Sequence, residues 1–348
     1  MAGKRIGIAG AGVLGRLLAV GLSRAGHVVQ VFDPASGPSP RADSGSLAAG
    51  WTAAGMLSPV AELERAGDEV FALGVRSCQL WPQIVQGLAD PVTLHMQGSL
   101  LLAHRSDAGA AQRVVGLLQA KADSRYQPQL LTAEALRALE PSIQGTALAW
   151  LLPCEGQIHP IEALQALAVQ ASAQGVQWHW NCQVTQVEAG VLHVVDARHT
   201  FDHVFDVRGV GAKSALPVRG VRGEVFWLHA PGVPLHRPVR LLHPRHSIYM
   251  VPRPGDVIVV GASEIESEDR SPVSLRSTLE LLSAAHSVMP ALAEARVVHL
   301  ETNLRPALPD NRPVIRHRAG TTEINGLFRH GWLIAPALVE QALHELAL

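Results

Sequence analysis

The chain has 348 residues, and since a domain usually takes ~100–200, two domains are expected rather than one core. Hydrophobic residues make up 47% and charged residues 17%, which excludes a disordered chain, and the 31 glycines and 23 prolines follow no collagen-like or low-complexity period. With 29 basic and 30 acidic residues the net charge is −1, which leaves no global field for a phosphate backbone and disfavours nucleic acid as a partner.

Lys4 and Arg5 precede an apolar run from Ile6 to Leu14, but the run is rich in glycine, meets Arg16 and shows no cleavage pattern, so it does not read as a signal peptide. Residues 5–9 read instead as a short buried strand. Gly10-Ala11-Gly12-Val13-Leu14-Gly15 follows, and apolar pairs at 13/14 and 17/18 and then Leu22 continue at helical spacing until Ala25-Gly26. Residues 27–32 form a second strand ending at Asp33, 18 residues past Gly15. This is a complete βαβ unit with the dinucleotide fingerprint. Gly10 permits the tight turn, Gly12 lets the backbone approach a pyrophosphate, and Gly15 lets helix and strand pack, while Asp33 accepts from a ribose hydroxyl. An acid at that position favours an unphosphorylated ribose.

Simple βα alternation stops there. Residues 93–104 read as strand, and 133–139 as a helix ending before Pro141. Residues 162–174 form an amphipathic helix ending at Gly175, and 176–180, 183–188 and 191–195 are successive strands. Residues 223–229, 248–252 and 257–262, the last two around the turn Pro254-Gly255-Asp256, read as antiparallel pairing. A helix over 274–289 stops at Pro290, and 296–302 is one more strand. No uninterrupted apolar stretch approaches the ~18–20 residues that cross a bilayer, so no membrane partner is expected. Cys78, Cys154 and Cys182 are too few and too scattered for a disulfide framework or a local metal motif, which suits a reducing, cytoplasmic setting. His243 with His246, and His199 with His203, have ligand-like spacing but no completing shell, so no metal is expected. The Trp178/Trp180 pair reads as packing.

Several segments together carry a resemblance. They are the fingerprint, the segment from Ala48 to Pro59 with Ala53-Ala54-Gly55-Met56, the stretch Ile248-Tyr249-Met250-Val251-Pro252-Arg253 followed by Val260-Gly261-Ala262, and Asn303-Leu304-Arg305-Pro306 with Pro309-Asp310. In this order they resemble the D-amino-acid oxidase-like flavoproteins nearly end to end, and look most like glycine oxidases of thiamine-thiazole biosynthesis.

The resemblance implies FAD as cofactor and an α/β fold, with a Rossmann-like FAD-binding domain interleaved with an antiparallel-sheet substrate domain. The expected FAD-binding domain takes residues 1–80, 151–217 and 303–348, and the substrate domain 81–150 and 218–302. Ala53, Ala54, Gly55 and Met56 are expected along the isoalloxazine ring. Val184 is expected to offer backbone contacts to the adenine, with an ordinary core valine as the competing reading, and Gly209 and Gly211 to lie near the cofactor. Gly326 to Pro336 looks like the C-terminal flavin-contacting turn, with His330, Gly331, Trp332, Leu333 and Ile334 near the ring. Relatives commonly have Asn where this chain has His330, and an aliphatic residue where it has Trp332, which puts the substrate's size in doubt.

An amino-acid substrate needs its carboxylate held, which arginine does best through a bidentate fork. The resemblance assigns this to Arg305, with Arg329 assisting, and places Tyr249 at the family's active-site tyrosine, where a core aromatic is the competing reading. The expected reaction is FAD-dependent oxidation of glycine, a small amino acid or an N-substituted glycine by hydride transfer to flavin N5, with O2 reduced to hydrogen peroxide. The rivals are a dehydrogenase with another electron acceptor, a relative acting on a secondary amine in modified tRNA, and a non-catalytic flavin-fold binding protein. The subunit number stays open and admits a homo-oligomer.

Overall fold

The computed structural model describes residues 3–39, 48–195, 197–242 and 247–348. Arg5–Ala9 is a strand with four consecutive buried residues, as a strand covered on both faces must be. It lies centrally in a six-stranded sheet, in the spatial order Val314–Arg318, Thr321–Asn325, His203–Asp206, Arg5–Ala9, Val28–Phe32 and Gln177–His179. All pairings are parallel except the edge hairpin Val314–Arg318/Thr321–Asn325. The helix Val13–Arg24 follows the first strand, and its Leu14, Leu17, Leu18 and Leu22 are buried at helical spacing. Helices Pro160–Ala173 and Gly331–Glu345 pack on it, and Asp68–Gln86 packs on the last of these. Ile6, Ile8, Leu18, Trp81, Leu167, Trp332 and Leu338 share that core.

The second sheet has eight strands, in the order Arg296–Ala307, Arg219–His229, Val257–Gly261, Ser247–Arg253, Val239–Leu242, Ser99–Ala103, Leu148–Leu152 and Gln129–Leu130. Its pairings are antiparallel except Val239–Leu242 against Ser99–Ala103. Side-chain alternation gives its two faces different tasks. Phe226, Met250 and Val260 pack against the helix Leu275–Val288. Their neighbours Val225, Val251 and Val259 pack against Ala54 and Met56, and Val225 lines a cavity. Farther along, Leu101 and Ala103 pack under the helix Ala108–Lys121.

Many expected elements appear within one or two residues of their anticipated bounds, but the strand anticipated over 223–229 begins at Arg219, the helix Ala108–Lys121 was not anticipated, and other elements depart as follows. The strand anticipated over 93–104 is two, Leu94–His95 and Ser99–Ala103, parted at Gly98 with φ +85°. The strand anticipated over 296–302 continues to Ala307, because Gly220, Gly223 and their neighbours pair with it along its whole length. The 19-residue helix Asp68–Gln86 was not anticipated; Pro82 inside it interrupts the helical reading. His243 and His246 lie outside the described residues. Among the described residues, no helix is long and apolar enough to cross a membrane.

Candidate active site

A cavity of about 1520 Å³ lies between the two sheets. At one end are Gly10, Gly12, Val13, Leu14, Asp33, Val184, Gly209 and Gly211; at the other are Ala53–Met56, Tyr249, Arg305, Arg329, His330, Gly331, Trp332 and Leu333. Nineteen anticipated positions, from Gly10 to Leu333, thus meet on one surface, and of the anticipated residues only Gly15 and Ile334 do not line it.

Local geometry explains the fingerprint end. Gly10 has φ +107°, and a Cβ on Gly15 would lie 1.9 Å from the Gly10 carbonyl oxygen, so Gly15 serves helix–strand packing rather than the cavity surface. A Cβ on Gly12 would meet only Ala48, at 3.5 Å; this open side is where a bound group can approach the backbone. Asp33 accepts hydrogen bonds from Ala11 N at 2.6 Å and Ala35 N at 2.8 Å, which fixes the carboxylate beside the helix start. The Val184 carbonyl already accepts from Arg208 Nη1 at 2.9 Å, while that guanidinium also pairs with the buried Asp206.

The Ala53–Met56 segment is held from the second sheet. Arg253, which burial pushes down to about 10, donates from Nη2 to the Ala54 carbonyl. Gly55 sits at φ +65°, where a Cβ would meet the Ile158 carbonyl oxygen at 2.1 Å. Asn303 Nδ2 donates to Thr52 Oγ1 at 3.1 Å, tying the preceding turn to the long edge strand.

Arg305 projects from that strand. Its Nη1 donates to the Ser263 carbonyl at 3.0 Å, and among the described residues it forms no ion pair. Burial lowers its pKa, with Tyr249 and Glu264 opposing the effect. The guanidinium fits because residue 223 on the adjacent strand has no side chain: a Cβ there would lie 2.5 Å from Arg305 Cζ. Gly261 makes the same kind of room for the Tyr249 ring, whose phenol is raised by burial against the opposing field of Arg305, Arg240 and Arg253.

Arg329 differs. It enters the cavity with two carboxylates already attached, Glu62 at 3.0 Å and Glu264 at 3.1 Å. Burial works against its charge, but these two partners outweigh burial and leave its pKa raised. Glu62 is the hub of this corner. It accepts from Arg240 Nη2 at 2.7 Å, from Arg329 and from His330 Nε2 at 2.9 Å. Burial penalises its charge, yet Arg240, Arg329 and His330 hold the carboxyl well below its usual range. Glu62 and Arg240 carried no signal in the sequence, where each resembles an ordinary surface charge.

His330 caps the helix Gly331–Glu345, and its Nδ1 is buried with no hydrogen-bond partner among the described residues. Trp332 lines the cavity, with its indole anchored outside the substrate end. Its indole donates to the Gly50 carbonyl at 3.0 Å and packs on Trp81, with ring centroids 5.4 Å apart. Ile334 is fully buried in the helix core. The open side of Gly12 at the helix start and the His330 Nδ1, unpartnered among the described residues, fit a long dinucleotide lying between the sheets.

Comparison with known proteins agrees with that fit. The family model described as DAO, FAD dependent oxidoreductase, matches residues 5–342. The chain is 36% identical over 344 residues to a putative thiamine biosynthesis oxidoreductase, ThiO, of Rhizobium etli, covering 98% of this chain and 96% of that protein. The crystal structure of glycine oxidase from Geobacillus kaustophilus superposes with a TM-score of 0.84 at 25% identity, covering 99% of this chain and 95% of that one. An iminodiacetate oxidase structure from Chelativorans sp. BNC1 superposes with a TM-score of 0.82 at 24% identity, covering 97% and 93%.

Proposed function

The chain belongs to the DAO family of FAD-dependent oxidoreductases, and from that premise we propose that it oxidises glycine or a small N-substituted glycine to the imine. One observation carries the choice of substrate class: Arg305 is a half-buried cation facing the cavity, bonded to carbonyl oxygens and to no carboxylate among the described residues. A partly desolvated charge without a counter-ion carries a cost, and a substrate carboxylate relieves it through the guanidinium fork.

Tyr249 stands beside Arg305 and offers its hydroxyl to the same carboxylate. Ala53 and Ala54 leave space for the substrate's α-carbon to approach a planar ring, and Arg253 fixes their backbone. FAD, when bound, supplies the acceptor for the hydride leaving the α-carbon and passes the electrons to O2, giving hydrogen peroxide. No side chain is needed as general base if the amine enters neutral, and positioning does most of the work. The imine formed from glycine takes up water to give glyoxylate and ammonia.

A second reading extends the substrate to a glycine bearing another anionic group. It is favoured by Arg329, whose Nη1 is held by the half-exposed Glu264 and can exchange that partner for the ligand's second carboxylate. Thiamine biosynthesis, named for the Rhizobium relative, is the setting that suits the glycine reading. The test is oxygen uptake and peroxide release by the FAD-loaded enzyme given glycine, sarcosine, iminodiacetate and small D-amino acids. Turnover of at least one is expected; no peroxide from any of them contradicts the proposal.

A further inference from the structure

Arg16 stands in the first turn of the fingerprint helix and is 1% exposed. That turn holds no acidic residue, and the preceding Gly12 gives no side-chain cap. The guanidinium is surrounded by neutral groups. Nε donates to the Ala11 carbonyl at 2.8 Å, Nη1 to Leu164 at 2.6 Å and Nη2 to Pro38 at 3.0 Å. Its Cζ lies 5.1 Å from the Trp51 ring centroid and 5.7 and 5.9 Å from those of Trp180 and Trp178, which stack on each other at 5.1 Å.

Carbonyl dipoles and aromatic faces solvate a cation but do not neutralise it. Among the described residues Arg16 forms no ion pair. Burial lowers its pKa to about 10, opposed by the field of Asp33, which is itself committed to the amides of Ala11 and Ala35. A basic residue in the first helical turn also opposes the helix dipole, whose positive end lies there. Two like potentials, one from the dipole and one from the buried cation, therefore add at the cavity wall formed by Gly10, Gly12 and Val13. An anion placed there is stabilised by both, and low polarisability around Arg16 keeps solvent from screening the interaction.

We propose that Arg16 is a positioning residue for the cofactor, the resident counter-charge for the pyrophosphate of FAD, acting from beneath the fingerprint turn through the Ala11 backbone. Its bonds to Leu164 and Pro38 keep the cation in place and tie the chain after Asp33 to the same point. The inference rests on FAD as cofactor and not on which amine is oxidised.

Its test reads binding alone. Full-length holoenzyme is diluted and FAD release followed by the rise in flavin fluorescence, with ADP and adenosine titrated as competitors of rebinding. Arg16→Met is expected to weaken FAD and ADP by about 10- to 100-fold and to leave adenosine within about twofold. Arg16→Lys, which keeps the charge and loses the three-way fork, is expected to retain most of the ADP affinity. Undiminished ADP binding by Arg16→Met overturns the proposal, and so does an equal loss for adenosine, which marks a merely structural clasp. Should Arg16→Met fail to fold, inorganic pyrophosphate decides on the unaltered enzyme: competition against FAD rebinding at millimolar concentration supports the proposal, and no competition overturns it.

Discussion

At the scale of single residues, the site distinguishes cations that have a counter-charge from those that wait for one. Arg329 and Arg240 share Glu62, whereas Arg305 has carbonyl partners. Arg305→Ala should therefore lower kcat/KM by about 30- to 1000-fold, corresponding to ~2–4 kcal/mol for a charge-assisted buried contact, without altering the FAD content read from the visible spectrum. Glu62→Gln has another consequence, because it leaves Arg240 without its carboxylate and Arg329 with the half-exposed Glu264 alone. A loss of stability of about 3–5 kcal/mol at pH 7 is expected, seen as a fall in melting temperature. Since the Glu62 carboxyl is held below its unfolded value near 4.5, its contribution is present above that pH and disappears as pH falls through the folded value. The gap between wild type and Glu62→Gln should then close in acid. Glu155 has the opposite sign. Burial raises its carboxyl although it accepts from Ala61 N at 2.8 Å and Ser99 Oγ at 2.5 Å, so stability falls as pH rises from its unfolded value through the folded one. Glu155→Gln should be nearly neutral or stabilising at pH 7 in the same melts.

At the scale of elements, glycines separate folding from binding. Gly15→Ala drives a Cβ against the Gly10 carbonyl and should destabilise the protein itself. Gly12→Ala has only Ala48 to meet and adopts an ordinary φ of −72°, so its melting temperature without cofactor should stay within a few degrees while FAD affinity falls at least tenfold. Gly223→Ala collides with the flexible end of Arg305, so KM should rise about tenfold or more with little change in stability. The fingerprint was legible in the sequence because it is local: turn, helix and acid are fixed by spacing within one βαβ unit. Arg305 and Tyr249 were legible through motifs, but the glycines on neighbouring strands that make room for them depend on register. Glu62, Arg240 and Arg329 were not legible as a group, since residues 62, 240 and 329 meet only after both sheets have formed. Trp332 shows the converse limit: its bulk is evident from sequence, but its direction, into the core against Trp81, is not.

At the scale of the whole molecule, the two sheets divide the labour. The parallel sheet supplies the backbone end of the cavity, and the face of the mixed sheet carrying Val225 and Tyr249 supplies the end where Arg305 lies. We propose that the C-terminal boundary between the two units falls after Ala307 rather than at residue 303, because the edge strand stays paired with Arg219–His229 to that point. In the proposed function, the cofactor is held by one sheet while the substrate's carboxylate is read from the other. The claim is tested most directly by mixing the FAD-loaded enzyme with glycine, sarcosine and iminodiacetate in turn without oxygen, and reading the flavin absorbance of wild type and Arg305→Ala. Bleaching of the wild type by at least one of these amino acids, with Arg305→Ala needing at least 30-fold more of it, is the predicted result. Failure of all three to bleach the wild type, or equal bleaching of the variant, would contradict the account.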